Sequence, residues 1–164
     1  MEGNIVNLQL SAPKPLLSSH RLDDFFCGES SLDDWLKRRA LSNHLNGASR
    51  TFVIADSYQY VWGYYALATG AISHNEATGR VRRNMPEPIP VIVLGRLAID
   101  LHAQGRKLGA SLLQDAVVRV RAVAENTGVR ALLVHSLNDK AKQFYEYYGF
   151  TASPTSPMTL MLRL

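Results

Sequence analysis

One short segment holds residue types suited to binding a phosphate. After Asp100 the chain reads Leu-His-Ala-Gln-Gly-Arg-Lys-Leu-Gly-Ala-Ser, so two glycines and two cations precede an apolar-striped stretch. Glycines let backbone N–H groups approach phosphate oxygens, and Arg106 and Lys107 add positive charge. A helix that begins near Leu108 would add unpaired N–H groups and partial positive charge. The segment therefore predicts a pyrophosphate-binding turn, although an ordinary strand–helix connection would carry the same residues.

Two familiar nucleotide-binding patterns do not fit this turn. Residues 104–110 follow neither the Gly-x-x-x-x-Gly-Lys-[Ser/Thr] loop nor the Gly-x-Gly-x-x-Gly spacing. The turn therefore disfavours nucleotide hydrolases and dinucleotide-binding proteins, and it leaves other phosphate-bearing ligands open.

Hydrophobic spacing predicts the strands and helices that position the turn. Strands are predicted over residues 5–10, 51–55, 61–69, 91–100, 130–135 and 158–164. Helices are predicted over residues 32–40, 108–126 and 139–148, the last of which stops at Gly149. Residues 73–90, with three prolines, are predicted to be mostly irregular. Hairpins followed by alternating strands and helices indicate a single α/β domain over residues 1–164 with a mixed sheet.

The first predicted helix has a start signal and a buried face. Ser30 or Ser31 is expected to cap it, because acidic residues then fall in the first turn. Its apolar face consists of Leu32, Trp35, Leu36 and Ala40. Lys37, Arg38 and Arg39 are therefore expected on or near its outer face.

Composition excludes several classes of protein. The chain has 164 residues, of which 46% are hydrophobic and 20% charged, and its net charge is +4. No apolar run approaches the roughly 20 residues that span a bilayer, and the N-terminus lacks a secretion signal, so we expect a cytoplasmic protein without membrane contact. The single cysteine, Cys27, cannot form an internal disulfide. Neither it nor His74, His102 and His135 show metal-ligand spacing, so no metal site is expected.

Three segments together resemble the Gcn5-related N-acetyltransferases (GNAT). They are Leu97-Ala98-Ile99-Asp100, Gln104-Gly105-Arg106-Lys107-Leu108-Gly109-Ala110 and Asn138-x-x-Ala141-x-x-Phe144-Tyr145-x-x-x-Gly149-Phe150. In that family the turn motif is Gln/Arg-x-x-Gly-x-Gly/Ala, which Gln104 and Gly109 match. Lys107 stands where the family has its first glycine, but it still supplies a backbone N–H and adds a cation.

This resemblance implies a fold, a donor and a set of binding residues. The fold is the GNAT fold, a mixed, mostly antiparallel central β-sheet flanked by helices, and the donor is acetyl-CoA. The acetyl-CoA pyrophosphate would lie on the turn formed by Gln104, Gly105, Arg106, Lys107, Leu108, Gly109 and Ala110. Backbone groups of Leu97, Ala98 and Ile99 would pair with the pantetheine arm as an added strand does. Asn138 would hydrogen-bond to the CoA arm.

The same resemblance makes Tyr145 the general acid that protonates the departing CoA thiolate. A tyrosine with a pKa of about 10 is mostly neutral at pH 7 and so has a proton to donate. The alternative is core packing, because Tyr145 shares a helical face with Ala141, Phe144 and Tyr148.

A more specific resemblance, covering residues 20–164, is to the acetyltransferase toxins of bacterial toxin–antitoxin pairs. It rests on Phe26-x-Gly28-x-x-x-Leu32-Asp33-x-Trp35-Leu36, Gly47-x-x-Arg50-Thr51-Phe52-Val53 and Arg82-Arg83-Asn84-Met85-Pro86-x-Pro88-Ile89-Pro90. Members acetylate the amino group of aminoacyl-tRNA and so block translation. The resemblance therefore implies aminoacyl-tRNA as acceptor, a ribbon–helix–helix antitoxin as partner, operator DNA bound and repressed through the antitoxin complex, and a homodimer.

The chemistry of the acceptor favours an α-amine over a lysine side chain. At a pKa of about 7.7–8.0, roughly a tenth or more of an α-amine is neutral at pH 7, whereas lysine at about 10.4 is under roughly a thousandth neutral. The spacing of the glutamates and histidines marks no general base, and an amine of low pKa needs one least.

Two groups of cations are candidate contacts for tRNA phosphates. The first is Lys37, Arg38 and Arg39, on the early helix. The second is Arg80, Arg82 and Arg83, in the connection before the strand that would bind acetyl-CoA. An ordinary solvated surface would carry the same residues.

Two further functions are consistent with these observations. One is an acetyltransferase for protein N-termini or a small amine. The other is a non-catalytic module that keeps the fold and acts through its partner, an alternative favoured by Lys107 in the glycine position.

Overall fold

Seven strands form a mixed β-sheet in the computed structural model, which describes residues 9–164. Their bounds are β1 Lys14–Pro15, β2 Arg50–Ala55, β3 Val61–Ile72, β4 Ile89–Ile99, β5 Ala131–His135, β6 Thr151–Ala152 and β7 Thr159–Arg163. The order along the sheet is β1-β2-β3-β4-β5-β7-β6. β4 and β5 are parallel, whereas β1–β2, β2–β3, β5–β7 and β6–β7 are antiparallel.

The helical segments differ greatly in length. Their bounds are α1 Ser30–Trp35, α2 Leu41–Asn46, α3 Gly79–Arg82, α4 Leu108–Glu125 and α5 Asp139–Tyr147. A π-helical turn, Leu36–Ala40, joins α1 to α2, and a 3₁₀ turn, Leu101–Ala103, follows β4. The elements confirm the predicted α/β class with a mixed sheet.

The first strand that the structure describes is Lys14–Pro15. The strand predicted over residues 5–10 falls mainly on residues 1–8, which lie outside the described residues. β1 instead pairs with β2 through Lys14↔Val53 and Pro15↔Phe52. A proline is tolerated there because β1 is an edge strand.

The start of the first helix also differs from the prediction. Glu29, and neither Ser30 nor Ser31, is the N-cap residue of α1, and its side chain makes no capping hydrogen bond. The buried carboxylate of Asp33 instead accepts a hydrogen bond from the Cys27 N–H at 2.9 Å. An acidic residue of the first turn thus holds the loop before the helix, and the two serines become helical.

Residues 73–90 are mostly irregular, as predicted, but they include one short helix and the start of a strand. They contain α3, and β4 already begins at Ile89. Ala77 and Val81 are buried in a cluster that includes Ile89. Because this burial holds α3 in place, Arg80 and Arg82 lie on a helix and not in an irregular connection.

The first of two compact units contains the described residues up to Leu67 together with Arg96–Ala116. Its core includes Leu16, Phe25, Leu36, Ala40, Val53, Tyr64 and Ala98. At Gly63 a Cβ would lie 2.8 Å from Ile99 Cδ1, so a larger residue there would require the Ile99 side chain to shift.

The second unit contains Ala68–Gly95 and Val117–Leu164. Its core includes Ile72, Ala77, Val81, Ile89, Val91, Ala131, Leu133 and Met161. β5 pairs with β4 only over Val91–Leu94, whereas β4 itself runs on to Ile99. The single domain predicted over residues 1–164 stays a prediction.

Candidate active site

The predicted phosphate-binding turn contains two residues in the left-handed backbone region. The φ angle is +83° at Gly105 and +60° at Lys107. Glycine adopts this region freely, whereas another residue is strained there by about 1 kcal/mol or more. Lys107 thus takes the conformation that suits the motif glycine, so the turn keeps a left-handed residue at that position. A Cβ at Gly105 would meet no heavy atom of the described residues within 4 Å, so the space beside it is open.

The N-terminus of α4 presents backbone donors. Ser111 N–H donates to the Lys107 carbonyl at 3.2 Å, which leaves the N–H groups of residues 108–110 without an intrahelical acceptor. The helix is 18 residues long, and its dipole places partial positive charge at this end. Arg106 and Lys107 are exposed beside it. Main-chain donors, positive charge and open space together fit a pyrophosphate.

The Gln104 side chain links the turn to β4. Its Nε2 donates to the Ile99 carbonyl at 3.0 Å and lies 3.5 Å from the Cys27 carbonyl. These contacts give the side chain a structural part in shaping the turn. The motif spacing identifies Gln104 but does not predict which atoms it contacts.

Asp100 is not among the predicted site residues, yet its hydrogen bonds hold the segment that leads from β4 into the turn. Its carboxylate is buried and accepts hydrogen bonds from the N–H groups of Phe26 and His102, each at 2.9 Å. Its own N–H donates to the Trp62 carbonyl at 2.9 Å. An aspartate that directly follows a strand and precedes a turn is a capping signal, and this signal identifies it from sequence.

The last residues of β4 lie in the same unit as the turn. Ala98 is buried in the core cluster, whereas Leu97 and Ile99 are half-buried. The hydrogen bond from Gln104 to Ile99 therefore joins the residues predicted for the pantetheine arm to those predicted for the pyrophosphate.

Asn138 is the N-cap residue of α5, in the second unit. Its Oδ1 accepts a hydrogen bond from the Ala141 N–H at 2.9 Å. Capping uses the amide oxygen, and the Nδ2 group is only a donor. The exposed side chain can therefore cap the helix and donate to a ligand at the same time.

Tyr145 lies about two turns further along the same helix and is 8% exposed. Its ring centroid lies 5.2 Å from that of Phe144 and 5.4 Å from that of Phe150. Burial raises the pKa of Tyr145 to about 12, because the tyrosinate would lose its hydration. The ring is thus packed as the core alternative expects, and the phenol still holds a proton at neutral pH.

Each unit carries one group of the candidate tRNA-binding cations. Exposed on the π-helical turn are Lys37, Arg38 and Arg39. Exposed on α3 and directly after it are Arg80, Arg82 and Arg83. Among the residues that the structure describes, no carboxylate forms an ion pair with any of these six side chains.

Other reactive groups are few in the part of the chain that is described. Between residues 9 and 164, no three His, Cys, Asp or Glu side chains cluster as a metal site would require. Burial raises the pKa of Cys27 to about 11, so its thiol is a poor nucleophile at neutral pH. Within the same residues no helix combines the length and apolar character needed to cross a membrane.

Sequence comparison identifies related proteins over most of the chain. The family of acetyltransferase (GNAT) domains matches residues 27–159. The tRNA-acetylating toxin of Mycobacterium tuberculosis is 51% identical over 152 residues, which cover 93% of this chain and 91% of that protein.

Structural comparison finds the same fold in solved complexes. AtaT complexed with acetyl-methionyl-tRNAfMet has a TM-score of 0.87 and 28% identity, covering 94% of this chain and 95% of AtaT. An AtaT variant bound to the C-terminus of the antitoxin AtaR and to acetyl-CoA has a TM-score of 0.79 and 28% identity, with coverages of 94% and 93%. A KacTA–DNA complex has a TM-score of 0.80 and 27% identity, again with coverages of 94% and 93%.

Proposed function

The chain belongs to the acetyltransferase (GNAT) family, and from this we propose that it transfers an acetyl group from acetyl-CoA to the α-amino group of aminoacyl-tRNA. The predicted fold and enzyme class are confirmed by that membership. The observation that carries the choice of acceptor is the 51% identity to a tRNA-acetylating toxin across nearly the whole chain.

The proposal assigns binding of the donor to three groups of residues: the turn, the end of β4 and the cap of α5. The N–H groups of residues 108–110 bind the acetyl-CoA pyrophosphate, with Arg106 and Lys107 adding charge. Backbone groups of residues 97–99 pair with the pantetheine arm, and β4 extends past its paired segment with β5 to offer them. Asn138 donates from Nδ2 to the CoA arm.

The reaction is a direct transfer within a ternary complex. The neutral amine attacks the thioester carbonyl, a C–N bond forms and the C–S bond breaks. The proton that the amine loses passes through solvent to Tyr145 and replaces the one that the phenol gives to the sulfur. Tyr145 donates its hydrogen bond, and then its proton, to the sulfur as negative charge develops there. A free thiol has a pKa of about 8.5, below that of Tyr145, so stabilisation of the leaving thiolate by this hydrogen bond is the larger part of its effect.

The product explains how such an enzyme would act as a toxin. An acetylated α-amine is an amide whose nitrogen lone pair is delocalised, so it cannot attack the next peptidyl ester. A charged tRNA modified in this way no longer extends a chain. The proposed enzyme is therefore the toxin of a type II toxin–antitoxin system, acting in the cytoplasm where charged tRNA is used.

Partners are proposed from the same relatives. AtaT has been solved with the C-terminus of an antitoxin, and KacTA with DNA. For this chain we propose a ribbon–helix–helix antitoxin, operator DNA bound through the toxin–antitoxin complex, and a homodimer of single-domain subunits spanning residues 1–164. The exposed cations of the two groups contact tRNA phosphates.

Radiolabelled acetyl-CoA supplied with separate acceptors tests the proposal. The purified chain is incubated with aminoacyl-tRNA, with a peptide bearing a free N-terminus, and with a small amine. We expect N-acetyl-aminoacyl-tRNA as the main product. Labelled peptide or amine without labelled tRNA would instead identify an acetyltransferase of the alternative acceptor class.

A further inference from the structure

The side chain of Arg130 binds the C-terminal end of α3. Its Nε donates to the Val81 carbonyl at 3.0 Å, and its Nη2 donates to the Arg80 and Arg83 carbonyls, each at 3.1 Å. The last carbonyls of a helix have no intrahelical donors, and a cation is favourable at that end. One guanidinium thus satisfies three carbonyls of the segment that carries the second group of cations.

The backbone of Arg130 is fixed by two hydrogen bonds to other segments of the chain. Its N–H donates to the Pro90 carbonyl at 2.9 Å, and its carbonyl accepts from the Leu164 N–H at 3.0 Å. It directly precedes β5, which pairs with both β4 and β7. The guanidinium is therefore anchored to the sheet of the second unit and fixed relative to that sheet.

α3 needs such support because it is too short to be stable alone. It has four residues, about one turn, and isolated helices below roughly 12–15 residues are marginal in water. Val81 contributes one buried side chain to the core of the unit, and the Arg130 contacts supply the polar part of the attachment. Burial of the Arg130 side chain and the positive charge of Arg163 lower its pKa, but an arginine guanidinium in a protein remains protonated.

The result is an ordered surface of unpaired positive charge. Arg80, Arg82 and Arg83 are exposed, and none of them forms an ion pair with a carboxylate within residues 9–164. We call these three residues the α3 arginine surface. Arg80 and Arg83 are three positions apart and carry like charges, a spacing that destabilises a helix slightly, so the Arg130 contacts oppose this repulsion.

We propose that Arg130 is a positioning residue that holds the α3 arginine surface in the geometry in which it binds the phosphates of aminoacyl-tRNA. The inference rests on the proposed function, since it concerns the tRNA-binding surface of the same enzyme. Arg130 touches no substrate itself. Its effect comes from preorganisation, because a surface that is already ordered loses less conformational entropy on binding.

Binding of charged tRNA to Arg130→Met tests this. Methionine keeps an apolar stem and removes the donors. We expect the Kd for tRNA to rise about tenfold, the KM for acetyl-CoA to stay within about twofold, and the slope of log K against log salt to fall by about one or more, since lost phosphate contacts release fewer counterions. Arg130→Lys, which keeps the charge and some donors, should restore part of the affinity.

Arg121→Met is the matched control, because it removes one exposed cation from α4 without touching α3. If both variants weaken tRNA binding equally and share one salt slope, net charge explains the effect and the positioning role is refuted. Faster amide hydrogen exchange over residues 79–83 in Arg130→Met alone would support it.

A second measurement covers the case in which Arg130→Met unfolds. Replacing all three residues of the α3 arginine surface by glutamine removes the groups that Arg130 positions. Arg130→Lys should then weaken tRNA binding in the wild type but have no effect in the triple variant; an equal effect in both would overturn the proposal. A wild-type chain that fails to bind tRNA at all would instead refute the proposed function.

Discussion

The turn before α4 and the helix α5 contribute to the proposed donor site in different ways. The turn offers mainly backbone N–H groups, which every residue except proline possesses. α5 offers two specific side-chain groups, the Asn138 amide and the Tyr145 phenol. Lys107 illustrates the difference, because it replaces a motif glycine and still adopts a φ of +60°. A backbone-built site tolerates any residue that can take the required φ, whereas a site built from side chains depends on single atoms.

Replacing Tyr145 by phenylalanine is expected to have the largest effect, because it removes one of the two side-chain groups that α5 contributes. The ring stays packed against Phe144 and Phe150, and only the hydroxyl is lost. We expect kcat to fall about 10²–10⁴-fold, the usual contribution of a positioned proton donor. The KM for acetyl-CoA should change less than about twofold, as measured by steady-state kinetics with charged tRNA.

Tyr148→Phe is the control, since it removes a phenol from the C-terminal end of the same helix. It should leave kcat within about twofold of the wild type. A loss below about tenfold in Tyr145→Phe would show that a different group, or water, serves the leaving thiolate.

The pH profile of the reaction separates the titration of the acceptor from that of Tyr145. Below the amine pKa of about 7.7–8.0, kcat/KM should rise about tenfold per pH unit as the neutral amine accumulates. Burial disfavours the tyrosinate and raises the pKa of Tyr145 to about 12, so the phenol is protonated throughout the range below that value. The rate should therefore stay level to pH 10 in single-turnover assays. A decline beginning near pH 9 would mean that the phenol titrates normally.

Two substitutions of Asn138 separate its role as helix cap from its role as hydrogen-bond donor to acetyl-CoA. Asn138→Ala removes both, whereas Asn138→Ser keeps a good N-cap oxygen for the Ala141 N–H but has no amide donor. Both variants should raise the KM for acetyl-CoA about three- to tenfold, the value of one hydrogen bond. Only the alanine variant should lose about 1 kcal/mol in the free energy of unfolding, measured by urea denaturation. An unchanged KM in both would remove Asn138 from the donor site.

Lys107→Gly should give the smallest effects of the four changes. It should raise stability slightly and weaken the binding of acetyl-CoA slightly. Glycine relieves the left-handed strain, so we expect the free energy of unfolding to rise by up to about 1 kcal/mol. Loss of the exposed ammonium should raise the KM for acetyl-CoA about two- to fivefold, as expected for a solvated charge pair. Lys107→Asn, which tolerates the same φ without a charge, should match the KM change. A fall in the free energy of unfolding for Lys107→Gly would contradict the strain.

The local patterns were good guides to the elements of the donor site. Apolar spacing placed the start of α4 at Leu108, as observed, and Gly149 placed the end of α5 at Tyr148, one residue beyond the observed end at Tyr147. The local patterns do not predict contacts made by residues that are distant in the sequence. Asp33 accepts a hydrogen bond from Cys27 where a serine cap was expected, and Val81 and Arg130 hold one short helix within a segment that is otherwise irregular, as its prolines predict.

The sequence by itself determined the strand, turn and helix before and after Lys107 and the helical spacing of Asn138 and Tyr145, because these depend on neighbours a few residues away. Only the tertiary structure decided the raised pKa of Tyr145, the two carbonyls that Gln104 contacts and the attachment of α3. Each of these depends on packing or on contacts across many residues: Arg130 lies 49 positions from Val81, and Gln104 lies 77 from Cys27. No local pattern encodes such a contact, since it forms only when the chain folds back on itself.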